Sequence, residues 1–415
     1  MSNKTDQLHQ ARSELPQALE GLRVLDLSFY APGRCASMVL ADLGADVICV
    51  EMPRGLRPEA SLLDDDQSVR WLLYQRNKRS MTLNLKTAEG QQIVDDLAKN
   101  VDVVIESYKP GTAEKLGVGY DRISAIAPHV VYCSVSGFGQ TGPYRDLIGH
   151  ETNYQGLGLA LGQNRPAGSS PIPLSALVGD IGGGANFAII AILSALLYRE
   201  RTGKGQYIDV SISAGILPLM GALPYAQWMK DPFRSVHFSS GLRADFRAYE
   251  TSDGKYVAVS PSEPWLWKRF CAAIERNDLV ERKPEDLTSR REQEALVEEL
   301  GRVFKSRTQA EWVEINSRAN VAITPVLENI EEVEQDLQVM HRGQIKEVDY
   351  EPLGRVKQIG LPFTMSATPP EVRWIPTYGE HTDEILGELG FSTDEVVALR
   401  ESGVCESPQE VDTQP

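Results

Sequence analysis

The sequence has no excess of positive charge; its formal net charge is −16. Binding along a nucleic acid needs a basic face, so nucleic acid is excluded as the main partner. A small anionic ligand is not excluded, because a few local Lys and Arg residues suffice to hold it. The five cysteines, Cys35, Cys49, Cys133, Cys271 and Cys405, form no CxxC pair. Their odd number and apolar settings predict buried reduced thiols rather than disulfides or metal ligands. The N-terminal stretch MSNKTDQLHQARSELPQ lacks the apolar centre of a signal peptide. The longest near-continuous apolar run, Phe187 to Tyr198, has 12 residues, against the roughly 20 that cross a bilayer. The expectation is a soluble cytoplasmic protein without a membrane partner. GxGxxG is missing after the first strand, and Walker A, HExxH and GxSxG are missing throughout. Nucleotide, zinc-protease and serine-hydrolase chemistry in their usual forms are thereby set aside.

What is present is a chain of 415 residues with 42% hydrophobic and 24% charged side chains, ordinary for a large globular protein of more than one domain. LRVLDLS, ADVICVEM, SMTLNL, VDVVIESY, VVYCSVSGF and QYIDVSI read as strands. Several are continuous apolar runs, as expected of strands covered on both faces. Helical spacing lies between them, at GRCASMVLADLG and over Ala88–Lys99. Repeated strand–helix–strand units predict an α/β fold, a Rossmann-like large domain with a parallel sheet. From about Phe246 the pattern changes. FRAYETSDGKYVAVSP predicts an antiparallel hairpin turning at Asp253-Gly254, and charged amphipathic helices follow. A smaller α+β domain is assigned to 225–330, the large domain to 18–224 with a return over 331–400, and flexible termini to 1–17 and 401–415.

Cations gather near strand ends. YQRNKRS carries Arg76, Lys78 and Arg79, EMPRG carries Arg54, and SYKPG carries Lys109. Ligands of open α/β sheets bind at the carboxyl ends of strands, so these five residues are candidate phosphate anchors; solvated basic turns explain them about as well. GFGQTGPY follows a strand and allows backbone to approach a ligand. IGHETNY holds His150 beside Glu151. VGDIGGG sets Asp180 against three glycines, ahead of a helix whose N-terminal N–H groups favour an anion. Glycines without side chains imply that something approaches closely there or that the segment moves. Asp180 reads as a helix cap or a nucleophile, and with His150 as an acid/base pair. Glu263 follows the strand VAVSPSEP in the second domain and has no assigned role.

Taken in order, LEGLRVLDLS, VLADLGADVICVE, NKRSMTLNLKTAEG, VDVVIESYKPG, LGVGYDRISAIAPHVVYCSVSGFGQTGPY, VGDIGGG and LLYRERTGKGQYIDVSI resemble the class III coenzyme A transferases, a family that includes the α-methylacyl-CoA racemases. The resemblance runs from about Leu19 to Leu399. It implies two interlocked chains, as a homodimer or with a paralogous subunit, and a CoA thioester as substrate rather than a bound cofactor. It implies CoA transfer from an acyl-CoA donor such as succinyl-CoA to a carboxylic acid such as benzylsuccinate, an acid of anaerobic toluene degradation. Asp180 matches the family's nucleophilic aspartate. A racemase is the alternative reading: GHETNY matches the racemase GHDxNY with Glu151 in place of Asp, and Glu263-Pro264 matches its EP dipeptide. A non-catalytic subunit is a third.

Overall fold

The computed structural model describes residues 16–56, 69–165, 169–230, 243–287 and 289–406. The chain divides into two compact units. Unit 1 comprises residues up to Gly158, Ser175–Leu219 and the chain from Leu337, and unit 2 comprises Leu159–Leu174 and Met220–Asp336. The segment 159–174, assigned from sequence to the large domain, therefore groups with the small one. No local signal marks the two places where the chain leaves unit 1.

Unit 1 is built on six parallel strands: β1 Arg23–Asp26, β2 Asp46–Glu51, β3 Lys78–Thr82, β4 Val103–Glu106, β5 Val131–Ser136 and β6 Gln206–Ser211. Their order is β3-β2-β1-β4-β5-β6. Leu25 of β1 lies beside Ile48 on one side and Val104 on the other, and all three are fully buried. This is why the strand sequences do not alternate: helices cover both faces, so neither face selects polar residues. The helices that matter here are α1 Ala31–Asp42, α2 Ala88–Ala98, α3 Glu151–Leu157, α4 Asn186–Thr202, α5 Ile212–Leu219, α6 Thr382–Glu388 and α7 Thr393–Glu401. Ile93 and Leu97 of α2 share a core cluster with Ile385 and Leu386 of α6 and Val396 of α7. Thr87 caps α2 by accepting the Gly90 N–H at 3.0 Å.

The termini expected to be flexible lie outside the described residues apart from 16–17 and 401–406. That last stretch departs from the expectation, because Val404 and Cys405 are buried in the same core cluster. All five cysteines are free and buried.

Unit 2 holds the antiparallel sheet β7 Arg247–Glu250, β8 Tyr256–Val259 and β9 Ile323–Pro325. Gly254 sits in the turn between β7 and β8 at φ +78°, a conformation glycine adopts without strain. The sheet packs on helices Pro264–Ala273, Arg290–Phe304 and Gln309–Ala319 through Tyr249, Phe270, Phe304 and Trp312. Tyr249 and Phe304 stack with centroids 4.8 Å apart. Ser289/Glu292 and Thr308/Glu311 close capping boxes on the last two of these helices.

Candidate active site

The strand order reverses direction between β1 and β4. Their C-terminal loops run to opposite sides and leave a crevice, the usual ligand site of an open α/β sheet. The Tyr30 N–H donates to Ser107 Oγ at 3.1 Å, tying the two loops together at its base. A cavity of about 320 Å³ opens there. Its walls are Tyr30–Pro32 after β1, Ser107–Pro110 after β4 and Val135–Phe138 at the end of β5, together with His150, Tyr154 and Asp180.

His150 and Asp180, named from sequence, thus line one cavity. The GHETNY segment explains how. Gly149 lies against Phe138 and Tyr154, and an added Cβ would come within 2.9 Å of either ring. Tyr154 donates its hydroxyl to the Gly149 carbonyl. The extended His150 starts α3, with its N–H donating to Asn153 Oδ1 at 3.0 Å. Glu151 then turns toward VGDIGGG. Its carboxylate accepts the Gly179 N–H at 2.8 Å and the Asp180 N–H at 2.7 Å. The Nε2 of fully buried Gln155 donates to it as well, at 2.9 Å.

VGDIGGG itself is a π-helical turn, Val178–Ala185, running into α4. Such turns are rare and concentrate at functional sites. The anion expected at this helix start is Glu151, which caps two of the otherwise orphaned N–H groups. Asp180 is therefore not needed as the cap, and it lines the cavity. The glycines also receive a physical reason. A Cβ on Gly183 would lie 2.5 Å from the Ile212 carbonyl oxygen, and one on Gly215 2.1 Å from that of Gly183. What approaches closely is the backbone of α5.

The basic candidates separate. Lys109 is exposed and lines the cavity; Arg145, not singled out from sequence, lines it too. The other four lie elsewhere. Lys78 is fully buried, with Nζ 3.1 Å from Asp26 Oδ2 and 2.9 Å from the Arg34 carbonyl. Burial alone would raise the Asp26 carboxyl, but Lys78, Arg34 and the Ser37 hydroxyl together hold it below its ordinary value. Arg76 is buried on Asp42 at 2.8 Å, and Arg79 pairs with Asp46 at 2.7 Å and Glu388 at 2.6 Å. Arg54 stands over the Tyr378 ring at 4.6 Å. Arg54, Arg76, Lys78 and Arg79, expected from sequence as phosphate anchors, are thus not among the residues lining this cavity, and three of them, Arg76, Lys78 and Arg79, are held in ion pairs. A cluster of cations in sequence became ion pairs that tie β3 to β1, β2 and the C-terminal helices. Glu263, in unit 2, is exposed ahead of helix Pro264–Ala273.

Two groups around the cavity have displaced acidities. Burial, reinforced by Asp180, Tyr30 and Glu151, pushes the Tyr154 hydroxyl up to about 12, so it remains a donor at any working pH. Burial pushes Glu106 up to about 7, against opposing hydrogen bonds from Ser134 and the Tyr108 N–H. Glu106 ends β4 directly ahead of the Ser107–Pro110 wall. Neither residue was singled out from sequence, although Tyr154 closes the quoted GHETNY motif.

Fold and site together define a doubly wound α/β protein with a carboxylate, an imidazole and an ammonium group in its switch-point crevice. Residues 19–382 match CoA-transferase family III, and the chain belongs to that family, as an enzyme of its CoA-transferase/racemase group. It is 33% identical to the succinyl-CoA–L-malate CoA-transferase beta subunit of Chloroflexus aurantiacus, covering 93% of this chain and 98% of that one. It is 32% identical to the alpha-methylacyl-CoA racemase of Homo sapiens, over 94% of this chain and 98% of the relative. Among solved structures, a CAIB/BAIF family protein from Brucella suis is similar with TM-score 0.75 and 27% identity, covering 90% of this chain and 100% of that one.

Proposed function

We propose that the protein moves CoA from an acyl-CoA donor to a carboxylic acid, with Asp180 as the acyl carrier. The observation that carries this reading is a carboxylate on the cavity wall whose backbone is held by another carboxylate, Glu151. With Glu151 capping the helix start, the cap role does not fall to Asp180, which lines the cavity beside His150. The Asp180 carboxylate attacks the donor thioester carbonyl; the C–S bond breaks, giving an acyl-aspartyl anhydride and CoA thiolate. The thiolate attacks the aspartyl carbonyl, releasing the donor acid and leaving an aspartyl-CoA thioester. The acceptor carboxylate attacks that thioester, CoA thiolate leaves again, and it returns to the acceptor carbonyl, regenerating Asp180. Each bond broken is matched by one formed, so thioester energy is kept rather than lost to water. Lys109 supplies positive charge for an anionic end of the substrates, and Arg145, paired with Asp146 at 2.8 Å, stands on the same cavity. Succinyl-CoA is the proposed donor and benzylsuccinate a candidate acceptor.

The test incubates the protein with succinyl-CoA and a panel of acids in deuterium oxide and follows products by mass. Transfer without α-deuteration, lost in Asp180→Ala, supports the reading, as does hydroxylamine trapping at Asp180. Full transfer by Asp180→Ala removes Asp180 as nucleophile. The second reading, racemisation, is favoured by His150 on the same cavity. One group would remove the α-proton and the other return it on the opposite face. α-Deuteration without transfer, lost in His150→Ala, would replace the first reading with this one.

A partner chain is part of the proposal, a second copy or a paralogous subunit in an interlocked pair. Helix α4 leaves Ile190 57%, Leu197 56% and Tyr198 48% exposed, and in unit 2 Trp228 and Met229 are 74% and 80% exposed. Residues Val178–Thr202 are long and apolar enough to cross a membrane by length and composition alone. Packing of this segment against α1, α5 and β5 supports instead a core helix with one apolar side left for another chain. A cytoplasmic location belongs to the same reading. If neither chemistry appears until a second polypeptide is added, the chain is the supporting subunit of a hetero-oligomer.

A further inference from the structure

The polar side chains along one row of β5 are matched inside the protein, with one exception. Tyr132, Ser134 and Ser136 alternate onto the same face of the strand. Tyr132 donates its hydroxyl to the Val118 carbonyl at 2.9 Å. Ser134 bonds to Glu106 and Tyr207. Ser136 is only 5% exposed, and its Oγ has no hydrogen-bond partner among the described residues. Its ladder neighbour Ser211 is already engaged with Ser213 at 3.3 Å. A buried hydroxyl without a partner is destabilising, and native proteins keep few of them without a reason. Ser136 lies in the wall of the cavity that holds Asp180 and His150.

We infer that the Ser136 hydroxyl is a binding group for substrate, donating a hydrogen bond to an oxygen of the acyl moiety. The inference rests on the acyl-CoA reading above and holds for either chemistry, transfer or racemisation. The hydroxyl acts as donor because the oxygens an acyl moiety offers, a thioester carbonyl or a carboxylate, only accept. A site that pairs a buried hydroxyl with a ligand oxygen discriminates strongly against ligands lacking that oxygen, because the hydroxyl is then left unpaired. Ser136 therefore serves as a specificity residue rather than a participant in bond making.

The test uses the full chain and three probes: free CoA, butyryl-CoA and succinyl-CoA, titrated by calorimetry into wild type, Ser136→Ala and Ser136→Thr. Ser136→Ala is expected to melt no lower than wild type, since it removes an unpaired polar group. It is expected to bind CoA unchanged and to bind the thioesters about tenfold more weakly or worse, ~1.4 kcal/mol at tenfold. Ser136→Thr, which keeps the hydroxyl, restores part of the loss. Equal losses for butyryl-CoA and succinyl-CoA identify the shared thioester carbonyl as the acceptor; a loss confined to succinyl-CoA identifies the distal carboxylate. Thioester affinity unchanged in Ser136→Ala overturns the inference while leaving the acyl-CoA reading intact. If wild type binds neither CoA nor its thioesters, the acyl-CoA reading fails and the inference falls with it.

Discussion

Replacing Glu151 by Ala removes the acceptor shared by the Gly179 N–H, the Asp180 N–H and the Gln155 amide, at 2.8, 2.7 and 2.9 Å. Loss of a helix-capping acceptor costs about 1–2 kcal/mol, and an orphaned buried amide adds roughly 1–3 kcal/mol. Water entering the vacated space recovers part of this, so the expected destabilisation is about 2–4 kcal/mol. For a folding unit of this size each kcal/mol lowers Tm by roughly 2–4 °C, giving a fall of roughly 4–16 °C by scanning fluorimetry. The first turn around Asp180 also loses its anchor, and a displacement of about 1 Å at a reacting group can lower the rate a hundredfold. CoA transfer should therefore fall by at least about tenfold in kcat, with a smaller change in KM. Glu151→Gln keeps one acceptor oxygen but turns an NH2 group toward donors, and should fall between wild type and Ala. A Glu151→Ala protein that melts within a degree of wild type and transfers CoA normally would refute both the capping role and the idea that it positions Asp180.

Glu106 makes stability pH-dependent. Its folded value of about 7 lies above the ordinary 4.5, so the folded protein holds the proton more tightly. The resulting stabilisation is complete below about pH 4.5 and lost as pH rises through about 7, with an upper bound of ~3 kcal/mol. Glu106→Gln should raise Tm at pH 8 more than at pH 5, and identical shifts at both would contradict it. Lys78→Met leaves Asp26 buried without its partner and should destabilise by about 3–5 kcal/mol, read as lost soluble yield or a large drop in melting temperature; near-normal stability would mean the pair is replaceable. Lys109→Ala should leave the melting curve unchanged, since the side chain is exposed, yet raise KM for an anionic substrate. That increase should shrink at high salt, and a KM equal to wild type at low salt would remove Lys109 from the site.

The parallel sheet was legible because strands buried on both faces carry consecutive apolar residues at their centres, as Val24–Leu25 of β1, Val47–Val50 of β2 and Val103–Ile105 of β4 do. The Asp253-Gly254 hairpin was legible because only a few residue pairs suit such a turn. Asp180 and His150 were legible from their motifs and the family resemblance, since each sits in a run of residues with special backbone needs. The ion pairs of the basic cluster were not legible, for a definite reason. Sequence marks where cations occur but not where carboxylates from other strands will meet them. Asp26 lies 52 positions from Lys78 in the chain, and only sheet pairing brings them together.

Sequence by itself determined the fold class, the succession of strands and helices, the family, and the two motifs whose His150 and Asp180 line the cavity. These follow from local periodicity, turn propensity and ordered short motifs, all of which are properties of neighbouring residues. Tertiary structure alone decided which charges face the cavity and which are consumed in the core. It assigned Glu151 to the helix start, gave the glycines their reason in the close passage of α5, and left Ser136 buried without a partner among the described residues. Each depends on groups distant in sequence meeting in space, where burial and hydrogen-bond pairing rather than residue type set what a side chain can do.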